Sequence, residues 1–241
     1  IRKLMDKERE SERTKNELIT NVAHDLRTPL TSIIGYLELL SSGPAISQEM
    51  QKKYIDIAYV KAKRLEKLIE DLFGFTKMNY GRISMNVGKV DIVKLLGQLL
   101  EEFYPSFKDK NLSYELQSNV PGKVITADGN LLARLFDNLI NNAINYTSKE
   151  DKQVFVTQRN LPQCVRIEVR DTGDGIEEDK IKLIFDKYYR SENHKREVVG
   201  TGLGLSIVKE ILKMHNYNYG VNSKLGEGST FWFEIRDIVP P

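Results

Sequence analysis

Two runs of apolar residues at helical spacing, separated by Ser41-Ser42-Gly43-Pro44, constrain this chain more than any other feature. Leu18, Val22, Leu26, Leu30, Ile33, Leu37 and Leu40 succeed one another in steps of four and three, as one helical stripe requires. Tyr54, Ile57, Ala58, Leu65, Leu68, Leu72 and Phe75 form a second stripe, and Ser47 stands where its helix needs a cap. Two amphipathic helices joined this closely predict an αα-hairpin. A lone hairpin covers one face of each helix, so a second copy is expected, giving a homodimeric four-helix bundle. Residues 1–17 carry charges of both signs with no Gly or Pro, which predicts a polar helix leading into a hairpin domain at 18–80.

From Asn79 to Lys89 the pattern breaks, which places a linker at 81–90 and a second domain at 91–241. There the periods alternate. Helices are expected over Asp91 to about Lys110, Asn130–Tyr146, Glu177–Tyr189 and Leu203–Met214. Strands are expected at Leu112–Gln117, Lys123–Ala127, Gln153–Gln158 and Cys164–Arg170, with a final hairpin of Tyr217–Asn222 and Ser229–Ile235 turned at Gly226-Glu227-Gly228. Mixed elements of this kind predict an α+β layer sandwich. At 241 residues and 40% hydrophobic, the chain has core-forming residues for both domains. A net charge of +2 excludes nucleic-acid binding by bulk charge. The single cysteine, Cys164, excludes an internal disulfide and a multi-cysteine metal cluster. No apolar run reaches the roughly 20 residues that span a bilayer. The chain begins at Ile1 in what reads as mid-helix, so it is expected to be a cytoplasmic piece of a longer protein. Any membrane contact would then rest on a segment upstream.

Four segments carry chemistry. In the first, Ala23-His24-Asp25-Leu26-Arg27-Thr28-Pro29-Leu30, His24 lies between stripe positions and is expected to be partly exposed. A lone helical histidine is ordinarily only surface. Pro29 changes that reading, because a helix-interior proline removes the bond to the Asp25 carbonyl and bends the helix, at a cost of about 3 kcal/mol. His24 and Thr28 share a face at i and i+4. Asp25 reaches His24 only sideways; accepting from Nδ1–H, it would leave Nε2 as the nucleophile, an arrangement that suits a phosphoacceptor. In the second segment, Asn138, Asn142 and Asn145 fall on one helix face in steps of four and three. A solvated polar stripe is the plain reading. The functional one is that amide oxygens complete a Mg²⁺ shell otherwise made of water and phosphate, with Asn142 as the metal ligand.

The third segment, Asp171-Thr172-Gly173-Asp174-Gly175-Ile176, comes directly after a strand. Asp and Gly also build ordinary turns. As a site, Gly173 and Gly175 admit a ligand to the backbone, and Asp171 accepts from an exocyclic amine, selecting adenine over guanine. The fourth, Gly200-Thr201-Gly202-Leu203-Gly204-Leu205, opens a helix whose free N–H groups can hold phosphate. Its spacing fails both the dinucleotide fingerprint and the Walker loop. The charged stretch Ser191–Val199 before it has the composition of a lid. His194 and His215 lack partners at metal-ligand spacing, and Phe231 and Trp232 read as sheet packing.

In this order, and with Ile184-Phe185-Asp186-Lys187-Tyr188-Tyr189-Arg190, these segments resemble the H, N, G1, F and G2 boxes of bacterial two-component sensor histidine kinases. The resemblance covers nearly the whole chain, and His24–Leu40 with the helix after it is most similar to vancomycin-resistance type sensors. It implies an all-helical dimerisation and phosphotransfer hairpin followed by a two-layer α+β ATP-binding domain of the gyrase, chaperone and histidine-kinase type. It implies that His24 takes the γ-phosphoryl group of ATP with Mg²⁺ and passes it to an aspartate of a response-regulator receiver domain, and that the protein also dephosphorylates that regulator. Asp25 then assists His24, Thr28 positions water, and Arg190 reaches the terminal phosphate; Arg27 matches a basic motif position with no assigned role. Asn138, Asn142 and Asn145 fall on the phosphate and magnesium side, Tyr146 beside the adenine, and Asp171 with Ile176 at the adenine reader. Gly173, Gly175, Gly202, Leu203 and Gly204 shape the pocket. Asn145 departs from the family, where a lysine is usual, so charge on the phosphates falls to Arg190 or to a lid lysine such as Lys195. In-line transfer requires the ATP domain to swing towards His24, with Tyr80–Lys89 as the hinge. An ATPase or serine kinase of the same superfamily, or an inactive dimeric scaffold, is the alternative.

Overall fold

The first two helices are α1 (Arg2–Ser42) and α2 (Gln48–Asn79), which pack on each other as a hairpin. Ser47 starts α2: its Oγ accepts from Met50 N–H at 3.3 Å and its carbonyl from Gln51 N–H at 2.9 Å. The rings of Tyr36 and Tyr54 meet at 5.4 Å across the two helices. α1 continues through Pro29, whose ring is buried. Leu30, Ile34, Leu37, Ile55, Tyr59 and Phe73 remain exposed, so each helix keeps an uncovered apolar face. The computed structural model describes residues 2–42, 46–79, 84–147, 153–186 and 202–236. It divides into two compact units, Ile1–Tyr80 and Gly81–Pro241. Among the described residues no helix is long and apolar enough to cross a membrane.

The second unit begins inside the stretch expected to be linker. Gly88–Asp91 forms β1, antiparallel to β3 (Val124–Ala127), with Val90 opposite the buried Ile125. Four residues are too few to show strand periodicity, and only the partner 35 positions on reveals the pairing. Asp91 ends the strand and caps the next helix: its Oδ1 accepts from Val93 N–H at 3.1 Å and Lys94 N–H at 3.2 Å. The single helix expected over Asp91–Lys110 is two, α3 (Ile92–Glu102) and α4 (Tyr104–Asp109). Pro105 has no N–H to continue the ladder, and the break falls at Phe103 just before it.

β2 (Ser113–Ser118), β4 (Gln153–Asn160), β5 (Cys164–Asp171), β7 (Gly228–Arg236) and β6 (Asn218–Lys224) form one sheet in that order. β2 runs parallel to β4, and the other neighbours are antiparallel. Asp128 caps α5 (Gly129–Tyr146), which with α6 (Gly204–Met214) forms the second layer. Leu132, Leu135, Phe136 and Ile140 of α5 and Ile207 and Ile211 of α6 are fully buried, as are Val154, Val156, Val165 and Ile167 of the sheet. Phe136 meets Phe233 at 5.6 Å between the layers.

The helix expected over Glu177–Tyr189 is absent as far as Asp186, and residues 187–189 lie outside the described residues. Lys180, Leu183 and Asp186 each donate to the carbonyl three residues back, which makes successive turns rather than an α-ladder. Ile184 is buried and Phe185 meets Tyr219 edge-on at 5.3 Å and Phe231 at 6.2 Å, so tertiary packing overrides the helical pattern.

Candidate functional site

The second unit gathers its polar machinery at one end of the sheet, where β5 runs out. Asp171 is the last residue of that strand and its carboxylate is buried. Oδ1 accepts from Gly173 N–H at 2.9 Å and from Ser229 N–H at 3.2 Å. Burial outweighs those two bonds and pushes the carboxyl up to about 6, well above the usual aspartate value. A buried carboxylate with one oxygen satisfied and a raised proton affinity is poised to accept a donor from a ligand.

The loop after Asp171 is shaped by glycines because no side chain fits. A Cβ on Gly173 would lie 2.3 Å from the Tyr146 carbonyl. Gly175 has φ +71°, and a Cβ there would lie 2.0 Å from the Lys224 carbonyl. Tyr146, half-buried at the end of α5, accepts from Asp174 N–H at 3.2 Å through its carbonyl, so the asparagine helix and the loop are joined. Ile176 donates its N–H to Ser223 Oγ at 2.8 Å.

The asparagines separate by environment. Asn138 is buried, its amide donates to the Arg134 carbonyl at 2.8 Å, and its Oδ1 would lie 2.9 Å from a Cβ on Gly204. It therefore abuts the start of α6. Asn142 is half-buried, and its side chain has no hydrogen-bond partner among the described residues, which leaves a neutral oxygen of the kind Mg²⁺ accepts beside phosphate and water. Asn145 is exposed. Among the described residues no group of three or more His, Cys, Asp or Glu is placed to hold a metal ion. Gly202 has φ +68° and Leu203 is buried; its carbonyl accepts from Ile207 N–H and Ser206 Oγ, both at 2.8 Å. Among the described residues no side-chain cap bond is made by Leu203, the residue at the start of α6, where helix N–H groups can hold an anion. Arg190, Lys195 and the stretch Ser191–Val199 lie outside the described residues.

In the first unit His24 stands on α1 with its side chain 78% exposed. Its Nδ1 faces Asp25 Oδ1 at 3.6 Å, too far for a hydrogen bond but close enough to fix which nitrogen points at the carboxylate. Thr28 shares the face, its hydroxyl donating to the His24 carbonyl at 3.1 Å. Arg27 is exposed.

Three contributors escaped the sequence reading. Ser223 and Ser229 sit on the terminal hairpin, 47 and 58 residues from the groups they bond, and nothing local marks them. His215 accepts Asp128 N–H on Nε2 at 3.1 Å while Nδ1 meets the Ile211 carbonyl at 2.9 Å, which fits a neutral ring protonated on Nδ1. It ties the end of α6 to the start of α5.

Residues 14–81 match the His Kinase A (phospho-acceptor) domain, and residues 127–238 match the histidine kinase-, DNA gyrase B- and HSP90-like ATPase domain. Sensor protein VanSC of Enterococcus gallinarum is 39% identical over 231 residues, which cover 95% of this chain and 62% of VanSC. The chain is the core of a two-component sensor histidine kinase. This kinase core resembles the VanS-type sensors and spans about three fifths of VanSC. Full-length ShkA in complex with AMPPNP superposes on it with a TM-score of 0.68 at 27% identity, over 91% of this chain and 45% of ShkA. ThkA in complex with the response regulator TrrA has the same fold, with a TM-score of 0.73 at 23% identity over 95% of this chain and 63% of that one.

Proposed function

We propose that this kinase core transfers the γ-phosphoryl group of ATP to His24 and then to an aspartate of a response-regulator receiver domain, and that it also catalyses removal of the phosphoryl group from that regulator. The exposed His24, with Nδ1 turned to the Asp25 carboxylate, is the observation that carries this reading. With the proton on Nδ1, Nε2 bears the lone pair and faces outward as the nucleophile. The Nε2–P bond forms as the bond from phosphorus to the ADP oxygen breaks. The ring becomes cationic, and Asp25 at 3.6 Å stabilises that charge.

The second unit supplies the donor. Asp171 reads the adenine amine, Gly173, Gly175 and Ile176 bring backbone close to the base, and Tyr146 flanks it. Gly202, Leu203 and Gly204 offer backbone N–H groups to the phosphates, with Asn138, Asn142 and Asn145 on the same side. A magnesium ion, when bound, neutralises phosphate charge, and the partnerless amide of Asn142 fits its coordination. Arg190 adds charge at the terminal phosphate. Thr28, on the His24 face, orients water for regulator dephosphorylation. The uncovered apolar faces of α1 and α2 support a second copy as the dimer partner. AMPPNP bound to ShkA supports a nucleotide as the donor, and the regulator bound to ThkA supports a response regulator as the partner.

Incubation with radiolabelled ATP and Mg²⁺ tests the proposal. The wild type should take up an acid-labile, base-stable label, and His24→Gln should take up none. A label that survives acid and persists in His24→Gln would instead mark a serine kinase, and failure to bind ATP would mark a scaffold.

A further inference from the structure

The β6–β7 hairpin is bonded into the Asp171–Ile176 loop at several points. Gly226 N–H donates to the Asp174 carbonyl at 2.7 Å, and Ser229 N–H donates to Asp171 Oδ1 at 3.2 Å. Ser223 makes a third connection, to the end of the loop. Its Oγ accepts from Ile176 N–H at 2.8 Å, meets the Gly228 carbonyl at 2.9 Å and meets Ser229 Oγ at 2.9 Å. A hydroxyl has one proton and two lone pairs. All three contacts are satisfied at once if Ser223 donates to Gly228 and accepts from Ile176 N–H and from the Ser229 hydroxyl. The backbones on either side are too close to adjust: a Cβ on Gly228 would lie 2.1 Å from the Asp171 carbonyl, and one on Gly175 would lie 2.0 Å from the Lys224 carbonyl.

We propose that Ser223 is a positioning residue for purine selectivity, holding Ile176 and the Gly228-Ser229 backbone so that Asp171 keeps Oδ1 occupied and presents Oδ2 to the adenine amine. The proposal rests on the reading of Asp171 as the adenine contact. With Oδ1 taken by Gly173 and Ser229, no other residue among the described ones donates to Oδ2. Guanine carries a carbonyl where adenine carries the amine, and a carboxylate held in place repels it. A carboxylate free to rotate, or a loop free to shift, loses part of that discrimination. Ser223 touches no base in this scheme and acts through the backbone on both sides of Asp171.

The experiment compares ATP with GTP as phosphoryl donors for His24 in the wild type, Ser223→Ala, Ser223→Thr and Leu225→Ala. Ser223→Ala should raise KM for ATP about tenfold, the order of effect of leaving part-buried polar groups unpaired, and lower the ATP-to-GTP preference to match. The rate at saturating ATP should stay within about twofold, since transfer to His24 is untouched. Ser223→Thr keeps the hydroxyl and should restore the preference. Leu225→Ala, at the exposed hairpin tip, should change nothing. Equal weakening of ATP and GTP by Ser223→Ala, or a fall in the saturating rate with KM unchanged, would overturn the proposal. If Ser223→Ala does not fold, Ser223→Cys weakens all three contacts at nearly constant side-chain size. It should still lower the ATP-to-GTP preference, and an unchanged preference overturns the proposal. Asp171→Asn separates the parent reading: if that variant keeps full ATP preference, Asp171 does not read adenine and the role given to Ser223 falls with it.

Discussion

The two units carry their chemistry in opposite ways. His24 is mostly exposed on a helix that would form with or without it, and its partners Asp25 and Thr28 are within four residues. Asp171 is buried, and its surroundings come from the end of α5, from its own loop and from the terminal hairpin. One site is local and solvated, whereas the other is tertiary and dry. A local site is changed by substituting one side chain, and the fold does not notice. A tertiary site is part of the packing, so one substitution there changes function and stability at once.

His24→Gln makes the widest separation between the two quantities. Phosphoryl uptake should vanish, while unfolding free energy stays within about 0.5 kcal/mol of wild type, as for an exposed position. Denaturant titration alongside the labelling assay checks both, and a clear loss of stability would show that the histidine supports the fold after all.

The glycines sharpen the contrast. Gly175→Ala places a Cβ 2.0 Å from the Lys224 carbonyl at φ +71°, and should destabilise by about 3 kcal/mol and abolish nucleotide binding. In α1, Gly35 has nothing within 4 Å of a built Cβ. Gly35→Ala should therefore stabilise the helix, by about 0.5–1 kcal/mol. The same chemical change thus takes opposite signs in the two units, which thermal unfolding of both variants would read directly.

Asp171 extends the contrast to pH. Its carboxyl is raised to about 6 by burial, against 3.8 for the ordinary side chain. Below about pH 4 it is protonated whether the chain is folded or not. Between about pH 4 and 6 the unfolded chain releases the proton and the folded one keeps it, so stability falls as pH rises through that window. The full loss is about 3 kcal/mol, set by the size of the shift. Asp171→Asn keeps an oxygen for Gly173 and Ser229 N–H but cannot ionise. The wild-type-minus-variant difference should grow across that window and level off above it, with the variant the more stable at pH 7 and yet poor at binding ATP. A flat difference would mean that the carboxylate is not penalised by burial.

Legibility in the sequence obeys the same division. The hairpin could be read because apolar steps of four and three and the cap at Ser47 are local signals. The long strands β4 and β5 and the helices α5 and α6 could be read for the same reason. The short strand β1 could not, since it exists only through its pairing with β3. The segment 177–186 carried a helical pattern that packing of Phe185 against Tyr219 and Phe231 overrode. Asp171 and its glycines stood out as a cluster, whereas Ser223 and Ser229 were invisible because their partners are distant in sequence. Asn138 and Asn142 looked equivalent at i and i+4. Only the fold distinguishes the one abutting Gly204 from the one with a free amide.

Thr28→Ala gives the smallest structural effect expected and so tests the local site most finely. The hydroxyl donates to the carbonyl of His24 on an exposed turn, a back-bond within one helix. Water replaces such a bond readily, and its removal should change stability by no more than about 0.5 kcal/mol. If Thr28 orients water in regulator dephosphorylation, that rate should fall at least tenfold while His24 labelling from ATP stays unchanged, because the nucleophile, Asp25 and the nucleotide unit are untouched. Both rates can be measured on the same preparation, with phosphorylated regulator as one substrate and ATP as the other. Equal losses in the two would instead place Thr28 in the alignment of the histidine itself, through the His24 backbone it bonds.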